Sequence, residues 1–378
     1  MNQKKFFLPP GFRDILTYES NSQFENGRKL IKNFDLWGYI FIEPPIIEFE
    51  STLVDKKSKS SNNKILSFLD PLTKKKISLR SDITTQLARI ASDRLFEFPK
   101  PLRLCYLGDV FRADTPKLSS DRQFKQAGIE IIGSDNLVAD IEVINLSLDS
   151  LKKINFKKIS LDLNCSIILE KIFDDNKISN NNREIIRKLV ERKNIKEISK
   201  YNKKLFILLK KIIETTGSLK KNIEKIKKLK LGKKANLILK DFLYVTSILI
   251  KKNYDKYKIS VDLLDHRGFE YYSGTTFSIF CLDSSKEICR GGRYTTKKKD
   301  PAVGATFFLN QFPEFRNNKN KRKRILISND SIFSKKLLKL RKQGWITIQN
   351  FSKKDDLKLA KLHSCKFIFK NNRIKKIK

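Results

Sequence analysis

Residues 265–277 read DHRGFEYYSGTTF, which sets an arginine, two acids and two adjacent tyrosines around two glycines. If the segment is a strand, alternation sends Arg267, Phe269 and Tyr271 to one face and Gly268, Glu270 and Tyr272 to the other. A pleated stretch with one satisfied salt bridge accounts for that set. So does the wall of a pocket, where a cation and a phenol face a ligand and a glycine lets it approach the backbone. Further polar residues stand near the ends of apolar segments elsewhere: Asp82, Thr84, Arg112, Gln126, Glu130 and Tyr294. Gln126 and Glu130 are an even number of residues apart, so a regular strand presents both on one face, and Arg112 ends the neighbouring apolar run. Together they offer acids for an ammonium, arginines for a carboxylate, and a glutamate and phenols for a polar ring. That is the chemistry of an amino-acid pocket, and the ring suits histidine.

The surrounding elements must bring these residues to one place. Residues 15–34 carry a helical apolar period after LPPGFRD, and YIFIEPPIIE reads as a strand interrupted by a proline pair. KILSFLD and KISLRSD flank the turn PLTKK as a hairpin, and SDITTQLARIASDRL follows as a helix. LRLCYLGDVFR and RQFKQAGIEIIG are two strands, SDNLVADIEVINLSLDSLKKI a helix, and KISLDLN a strand. Residues 165–252 turn helical and lysine-rich, with Leu205, Leu208, Leu209, Ile212 and Ile213 in helix period. KISVDLLD resumes the sheet, FSIFCLDSSKEICRGGRY makes a hairpin, and AVGATFFLNQF starts on a glycine turn. Runs of strands with helices gathered to one side predict an antiparallel α+β sheet over residues 1–316. A basic linker then leads into a small α/β piece, residues 321–378, built from ILISN, a helix over residues 334–343, WITI, DDLKLAKLH and KFIFK.

Composition narrows the function classes. With 80 lysines and arginines against 41 acids the chain carries +39, which raises nucleic acid or an anionic membrane as partners. The lysines of KKSKS, KKNIEKIKKLKLGKK and NNKNKRKR, however, spread through loops and polar helix faces without interleaved aromatics. A chain rich in Lys, Ile and Asn with one methionine is also what an A- and T-rich genome produces, so a nucleic-acid partner is not expected. The five cysteines are scattered, odd in number and form no CxxC, which suits reduced thiols in the cytoplasm. His266 and His363 are the only imidazoles, so a histidine-based metal centre is not expected. The apolar run LYVTSILI is too short to span a bilayer, which leaves a soluble chain with no membrane partner.

In order along the chain, LRSDITTQLAR, GDVFRADTPKLSSDRQFKQAGIEIIG, HRGFEYYSGTTF, RGGRY and AVGATFFLNQF resemble the motifs of the histidyl-tRNA synthetase catalytic domain. They are closer still to those of its non-synthetase paralogues, the regulatory subunits of ATP phosphoribosyltransferase. The resemblance runs from LPPGFRD to Phe312 and is weakest over residues 165–252. It implies a class II aminoacyl-tRNA synthetase-like α+β fold, an antiparallel sheet flanked by helices with a helical insertion, and a dimer formed through the N-terminal helix and strand. It also assigns a histidine pocket. Asp82, where synthetases have a glutamate, and Thr84 would hold the α-ammonium. Arg112, Gln126 and Arg267 would face the carboxylate, and Glu130, Tyr272 and Tyr294 the imidazole, with Tyr271 beside them.

The nucleotide side of the family does not carry over. The loop RADTPKLSSDR keeps Asp114 and Arg122 but has Thr115 and Ser120 where arginines are expected, and the arginine position of the last motif is Gln311. A neutral amide makes no charge-assisted bidentate contact with a triphosphate. The chain after Asn320 is too short for the synthetase's anticodon-binding domain. The resemblance therefore implies a non-catalytic subunit without cofactor or metal, in a hetero-oligomer with a short-form catalytic subunit that condenses ATP with phosphoribosyl pyrophosphate. That reaction opens histidine biosynthesis, and this chain would pass on feedback inhibition by L-histidine. A histidyl-tRNA synthetase, or a paralogue acting on RNA or another amino-acid substrate, is the alternative.

Overall fold

The structure, a computed structural model, describes residues 8–53, 65–114, 121–251, 257–265, 271–313, 322–329, 334–352 and 355–377. The chain divides into two compact units, Met1–Glu314 and Phe315–Lys378.

The first unit begins with α1 (Thr17–Asp35), β1 (Ile40–Phe41), β2 (Ile47–Phe49), α2 (Glu50–Leu53), β3 (Ser67–Leu69), β4 (Lys76–Leu79) and α3 (Thr84–Asp93). The long hairpin β5 (Leu102–Phe111) and β6 (Gln123–Ile132) follows, then α4 (Val138–Lys153) and β7 (Ile159–Asn164). The insertion holds α5 (Ile167–Asp175), α6 (Asn180–Glu191), α7 (Lys203–Ile213), β8 (Gly217–Ser218), α8 (Leu219–Lys227) and α9 (Lys233–Lys251). It returns to β9 (Lys258–Asp262), β10 (Tyr272–Cys281), β11 (Lys286–Thr295) and β12 (Pro301–Phe308).

Nine strands form one sheet in the order β1-β5-β6-β12-β11-β10-β7-β9-β8. The six strands from β5 to β7 pair antiparallel, as expected. The edges depart from that expectation, because β1 runs parallel to β5 and β9 parallel to β7. The second case has a plain cause: α5–α9 form a crossover long enough to bring the chain back in its original direction. Two further expectations change. The proline pair Pro44-Pro45 does more than interrupt a strand, since β1 joins the large sheet and β2 a separate three-stranded one, β2-β4-β3. Residues 301–308 do not open on a glycine turn; they form a central strand paired on both sides.

The period of two divides the sheet by face. Ala127, Ile129 and Ile131 of β6 and Val303, Ala305 and Phe307 of β12 are buried. They share the side on which Phe34 of α1 meets Phe307, ring centroids 5.6 Å apart. Residues of the other parity point the opposite way. There the strand ends are apolar, with Leu102, Leu104, Phe124 and Ile132 packed on Ile83, just before α3, and on Leu87 and Ala91 of α3. The middle of that face is polar.

One ion pair ties β11 to the first turn of α4. Arg293 Nε donates to Asp140 Oδ2 at 3.0 Å, and its two terminal nitrogens donate to the carbonyls of Ser134 and Asn136 at 2.9 Å each. Asp140 is 2% exposed.

The second unit is a small doubly wound sheet in the order β14-β13-β15-β16. Its elements are β13 (Arg324–Ile327), α10 (Lys335–Lys342), β14 (Ile346–Gln349), α11 (Asp356–Leu362), β15 (Phe367–Lys370) and β16 (Arg373–Lys376). Ile325, Ile327 and Phe369 pack on Leu337 and Leu340 of α10, while Leu326 and Ile368 pack with Ala360 of α11 on the other side. The strand β16 adds to the expected pattern; its sequence RIKK has no apolar alternation to announce it. Among the described residues no helix is long and apolar enough to cross a membrane.

The buried Arg293–Asp140 pair yields a stability prediction. Asp140→Ala leaves a guanidinium 11% exposed without its counter-charge, which should cost about 3–5 kcal/mol in a denaturant titration. A cost below about 1 kcal/mol would show that the carbonyl contacts suffice.

Candidate functional site

The polar middle of the sheet is built around one carboxylate. Glu130 of β6 lies opposite Gly304 of β12 and is 1% exposed. A Cβ on residue 304 would stand 1.9 Å from Glu130 Oε2, so the glycine in that central strand makes the room the side chain needs. Tyr294 of β11 donates its hydroxyl to Oε2 at 2.8 Å, and the Thr84 side chain bonds the carboxyl as well. Burial outweighs both bonds and pushes the Glu130 carboxyl up to about 8, with the charge of Asp82 adding to the rise. Burial beside this carboxylate holds the Tyr294 phenol well above its usual range.

A second close approach widens the polar patch. Gly128 of β6 faces Tyr106 of β5, and a Cβ there would meet the Tyr106 ring at 2.3 Å. The ring crosses the glycine so that Tyr106 Oη reaches Thr306 Oγ1 of β12 at 2.9 Å.

The adjacent tyrosines close the cleft from the β10 side. Tyr272 pairs with Tyr294 in the β10–β11 register and is buried, and burial raises its phenol. Tyr271 stacks on Tyr272 at 4.1 Å between ring centroids and meets Tyr294 edge-on at 5.8 Å. Glu130, Thr84, Tyr271, Tyr272 and Tyr294 thus line one cleft, completed by Arg290, Thr306 and the backbone at residues 292, 304 and 305. The cleft is narrow and partly open to solvent.

Of the other expected residues, Asp82, Arg112 and Gln126 are not among those that line this cleft. Asp82 Oδ1 accepts from the backbone N–H of Thr84 at 2.9 Å, which fixes the start of α3 and leaves its second oxygen for other partners. Arg112 follows β5 with its guanidinium over the Phe124 ring at 4.9 Å, and burial lowers its pKa. Gln126 is buried on the same face as Glu130, and its Oε1 has no hydrogen-bond partner among the described residues. Arg267 lies outside the described residues, as do Thr115 and Ser120.

Sequence reasoning missed Arg290, Tyr106 and Thr306. Arg290 opens RGGRY, and the alternation that places Tyr294 also places Arg290. Tyr106 was detectable only through Gly128, since a glycine inside a strand pattern marks a close approach.

Among the described residues, two positions read as belonging to the nucleotide side have other places. Arg122 donates Nε to the Arg112 carbonyl at 2.9 Å and lies over the Phe12 ring at 5.1 Å, so it anchors the N-terminal segment. Gln311 ends a short 3-10 turn, Leu309–Gln311, where an arginine would be needed. Among the described residues no group of three or more His, Cys, Asp or Glu could hold a metal ion. All five cysteines are free and buried, and burial pushes Cys105 and Cys165 up to about 12.

A sequence profile of histidyl-tRNA synthetase matches residues 11–312. The ATP phosphoribosyltransferase regulatory subunit of Paramagnetospirillum magneticum is 30% identical over 356 residues, 94% of this chain and 93% of its own. The fold is similar to that of an ATP phosphoribosyltransferase regulatory subunit/histidyl-tRNA synthetase from Bacillus halodurans. The TM-score is 0.81 at 24% identity, over 96% of this chain and 97% of that one. It is also similar to a chain of the ATP phosphoribosyl transferase (HisG:HisZ) complex from Thermotoga maritima, with TM-score 0.59 at 22% identity over 76% and 97%. The structural likenesses bear on the fold and the sequence matches on the family: the chain belongs to the histidyl-tRNA synthetase family and, within it, to the regulatory subunits of ATP phosphoribosyltransferase.

Proposed function

We propose that the cleft is a sensor for L-histidine, and that the chain joins a short-form ATP phosphoribosyltransferase catalytic subunit in the cytoplasm to pass on feedback inhibition. As a regulatory subunit it serves the first step of histidine biosynthesis, and the catalysis belongs to its partner. The observation that carries the sensor reading is the buried Glu130–Tyr294 pair at the floor of a cleft walled by tyrosines. An imidazole there gives its N–H to Glu130, and a phenol of Tyr272 or Tyr294 meets the other ring nitrogen. Asp82, Thr84 and the unpartnered oxygen of Gln126 suit the α-ammonium. That changes the expected role of Gln126, because a carbonyl oxygen accepts and a carboxylate would need its amide N–H instead. Feedback then requires that histidine bind one state of the complex more tightly than the other, typically by about 1–3 kcal/mol.

The N-terminal side supports a homodimer, as the family resemblance implies. Leu16, Tyr18, Phe24 and Leu36 on or beside α1, with Ile40 and Phe41 of β1, are exposed apolar residues. They flank the end of the strand order, where β1 pairs with β5 alone among the described strands.

Three experiments test this reading. Purified chain should bind L-histidine yet show no histidine-dependent ATP–pyrophosphate exchange; exchange at a synthetase-like rate would restore the catalytic alternative. Glu130→Gln should raise the histidine needed to half-inhibit the reconstituted complex about 5- to 150-fold, the worth of a lost bond of about 1–3 kcal/mol, while uninhibited turnover persists. The same variant has a second readout. Because the Glu130 carboxyl titrates near 8 when folded and near 4.5 when unfolded, its contribution to stability is complete below about pH 4.5. It is lost as pH rises through 8, so Glu130→Gln should match the parent near pH 4.5 and become the more stable protein toward pH 8. Equal pH profiles would place the proton elsewhere.

The third concerns charge. The second unit holds 21 lysines and arginines against three aspartates. Binding of tRNA through it should be unselective and lost between about 50 and 200 mM salt. Tight binding preferring the histidine-specific tRNA at physiological salt would favour the RNA-acting paralogue.

A further inference from the structure

Hydroxyls from four elements join in one hydrogen-bond chain that ends on Glu130. Tyr294 donates to the carboxyl from β11, and Thr84 bonds it from the first turn of α3. Thr84 also bonds the hydroxyl of Tyr106, a buried ring on β5. Tyr106 in turn reaches Thr306 of β12 at 2.9 Å between oxygens. Its ring can cross to β12 because Gly128, opposite Thr306 in the β6–β12 register, presents no side chain there. Thr84 and Thr306, at the two ends of this bridge, both line the cleft.

The chemistry of the groups fixes the direction of the chain. A threonine or tyrosine hydroxyl has one proton to give and lone pairs to accept with, whereas a carboxylate only accepts. Glu130 taking an imidazole N–H is such an acceptor, so Thr84 gives it the single proton of its hydroxyl. Tyr106 must then donate to Thr84, and Thr306 must donate to Tyr106. Thr306 has no proton left for the cleft and presents lone pairs alone. Bonds in series polarise one another, which makes the oxygen at the tail of a chain anchored on a carboxylate a stronger acceptor.

The position of Thr306 suits one group of the ligand. It stands in β12 between Gly304, opposite Glu130, and Phe308, opposite Gln126, about 7 Å along the strand from each. A ligand that extends from Glu130 toward Gln126 therefore meets the Thr306 oxygen first and the unpartnered Gln126 oxygen next. Two accepting oxygens on adjoining rows of the sheet suit a cation with several N–H donors.

We propose that Thr306 accepts a hydrogen bond from the α-ammonium of the bound amino acid, and that Tyr106 is the positioning residue that keeps the Thr306 proton turned away from the ligand. The assignment rests on the histidine reading above and adds an acceptor from β12 to Asp82, Thr84 and Gln126. It makes the cleft selective for an amino acid over the same molecule without its amine.

The test is a calorimetric titration of the full chain with L-histidine and with imidazolepropionate, which keeps the ring and the carboxylate and lacks the ammonium. The parent should prefer histidine by more than about 10-fold. Thr306→Val keeps the shape and removes the hydroxyl. It should cut that preference about 10- to 150-fold, the range of a hydrogen bond to a charged group, and leave imidazolepropionate binding within about threefold of the parent's. Thr306→Ser keeps the hydroxyl and should keep the preference. Tyr106→Phe should lower the same preference by freeing the Thr306 proton, and should add nothing in a Thr306→Val background, because the two act through one bond. If Thr306→Val fails to fold, Tyr106→Phe decides by the same ratio. Equal weakening of both ligands, or an unchanged ratio, would make the chain a structural brace and overturn the assignment. Additive losses in the double variant would uncouple Tyr106 from Thr306 and overturn the positioning role. If the parent binds histidine but does not distinguish imidazolepropionate, the Thr306 assignment falls while the histidine reading stands. If the folded parent binds neither ligand, both fall.

Discussion

A carboxylate buried in the middle of an antiparallel sheet is the constraint around which the larger unit is arranged. Glu130 cannot shed its polar group into water, so the sheet must supply partners and space. Tyr294 gives the hydrogen bond from β11, two strands away, and Gly304 gives the space from β12, the strand between them. Without the Tyr294 hydroxyl the carboxyl would keep only its bond to Thr84, and a side chain at residue 304 would displace it. The consequence is a sheet with two unlike faces. One is apolar under α1 and α4, held to the helix layer by Arg293 and Asp140. The other is apolar only at its rim, with a polar hollow where tyrosines, a threonine and an arginine converge.

That hollow gathers a carboxyl, phenols and a guanidinium, the groups from which the proposed amino-acid site is built. Arg122 is spent on Phe12 and the carbonyl of Arg112, and Gln311 closes a short turn. In the proposed reading the scaffold of a substrate site serves an effector instead. A regulatory subunit needs no transition-state contacts; it needs only a ligand whose binding differs between two states of a complex.

Much of the fold was legible because its signals are local. The β5–β6 hairpin, the α3 and α4 helices and the α/β pattern of the second unit follow from apolar periods and turn residues. Proline pairs and glycines were harder to read. Pro44-Pro45 separates two sheets, and Gly304 sits inside a strand instead of opening a turn, because a glycine's reason lies in what approaches it from another strand. The strand β16 had no apolar pattern at all, and its place follows from pairing with β15.

For the site, residue types and motif order pointed to an amino-acid pocket, and of the residues named for it Thr84, Glu130, Tyr271, Tyr272 and Tyr294 line one cleft. Residue type and strand parity are properties of the chain, readable without coordinates. Only the tertiary structure decided that the edges of the sheet run parallel, that Tyr106 spans Gly128 to reach Thr306, and that Gln126 offers an oxygen with no partner. It likewise decided that Arg290 shares a cleft with Glu130. These depend on which strands become neighbours and in what register, and on how far a side chain reaches across them; the pairing of β6 with β12 joins residues 170 to 182 positions apart.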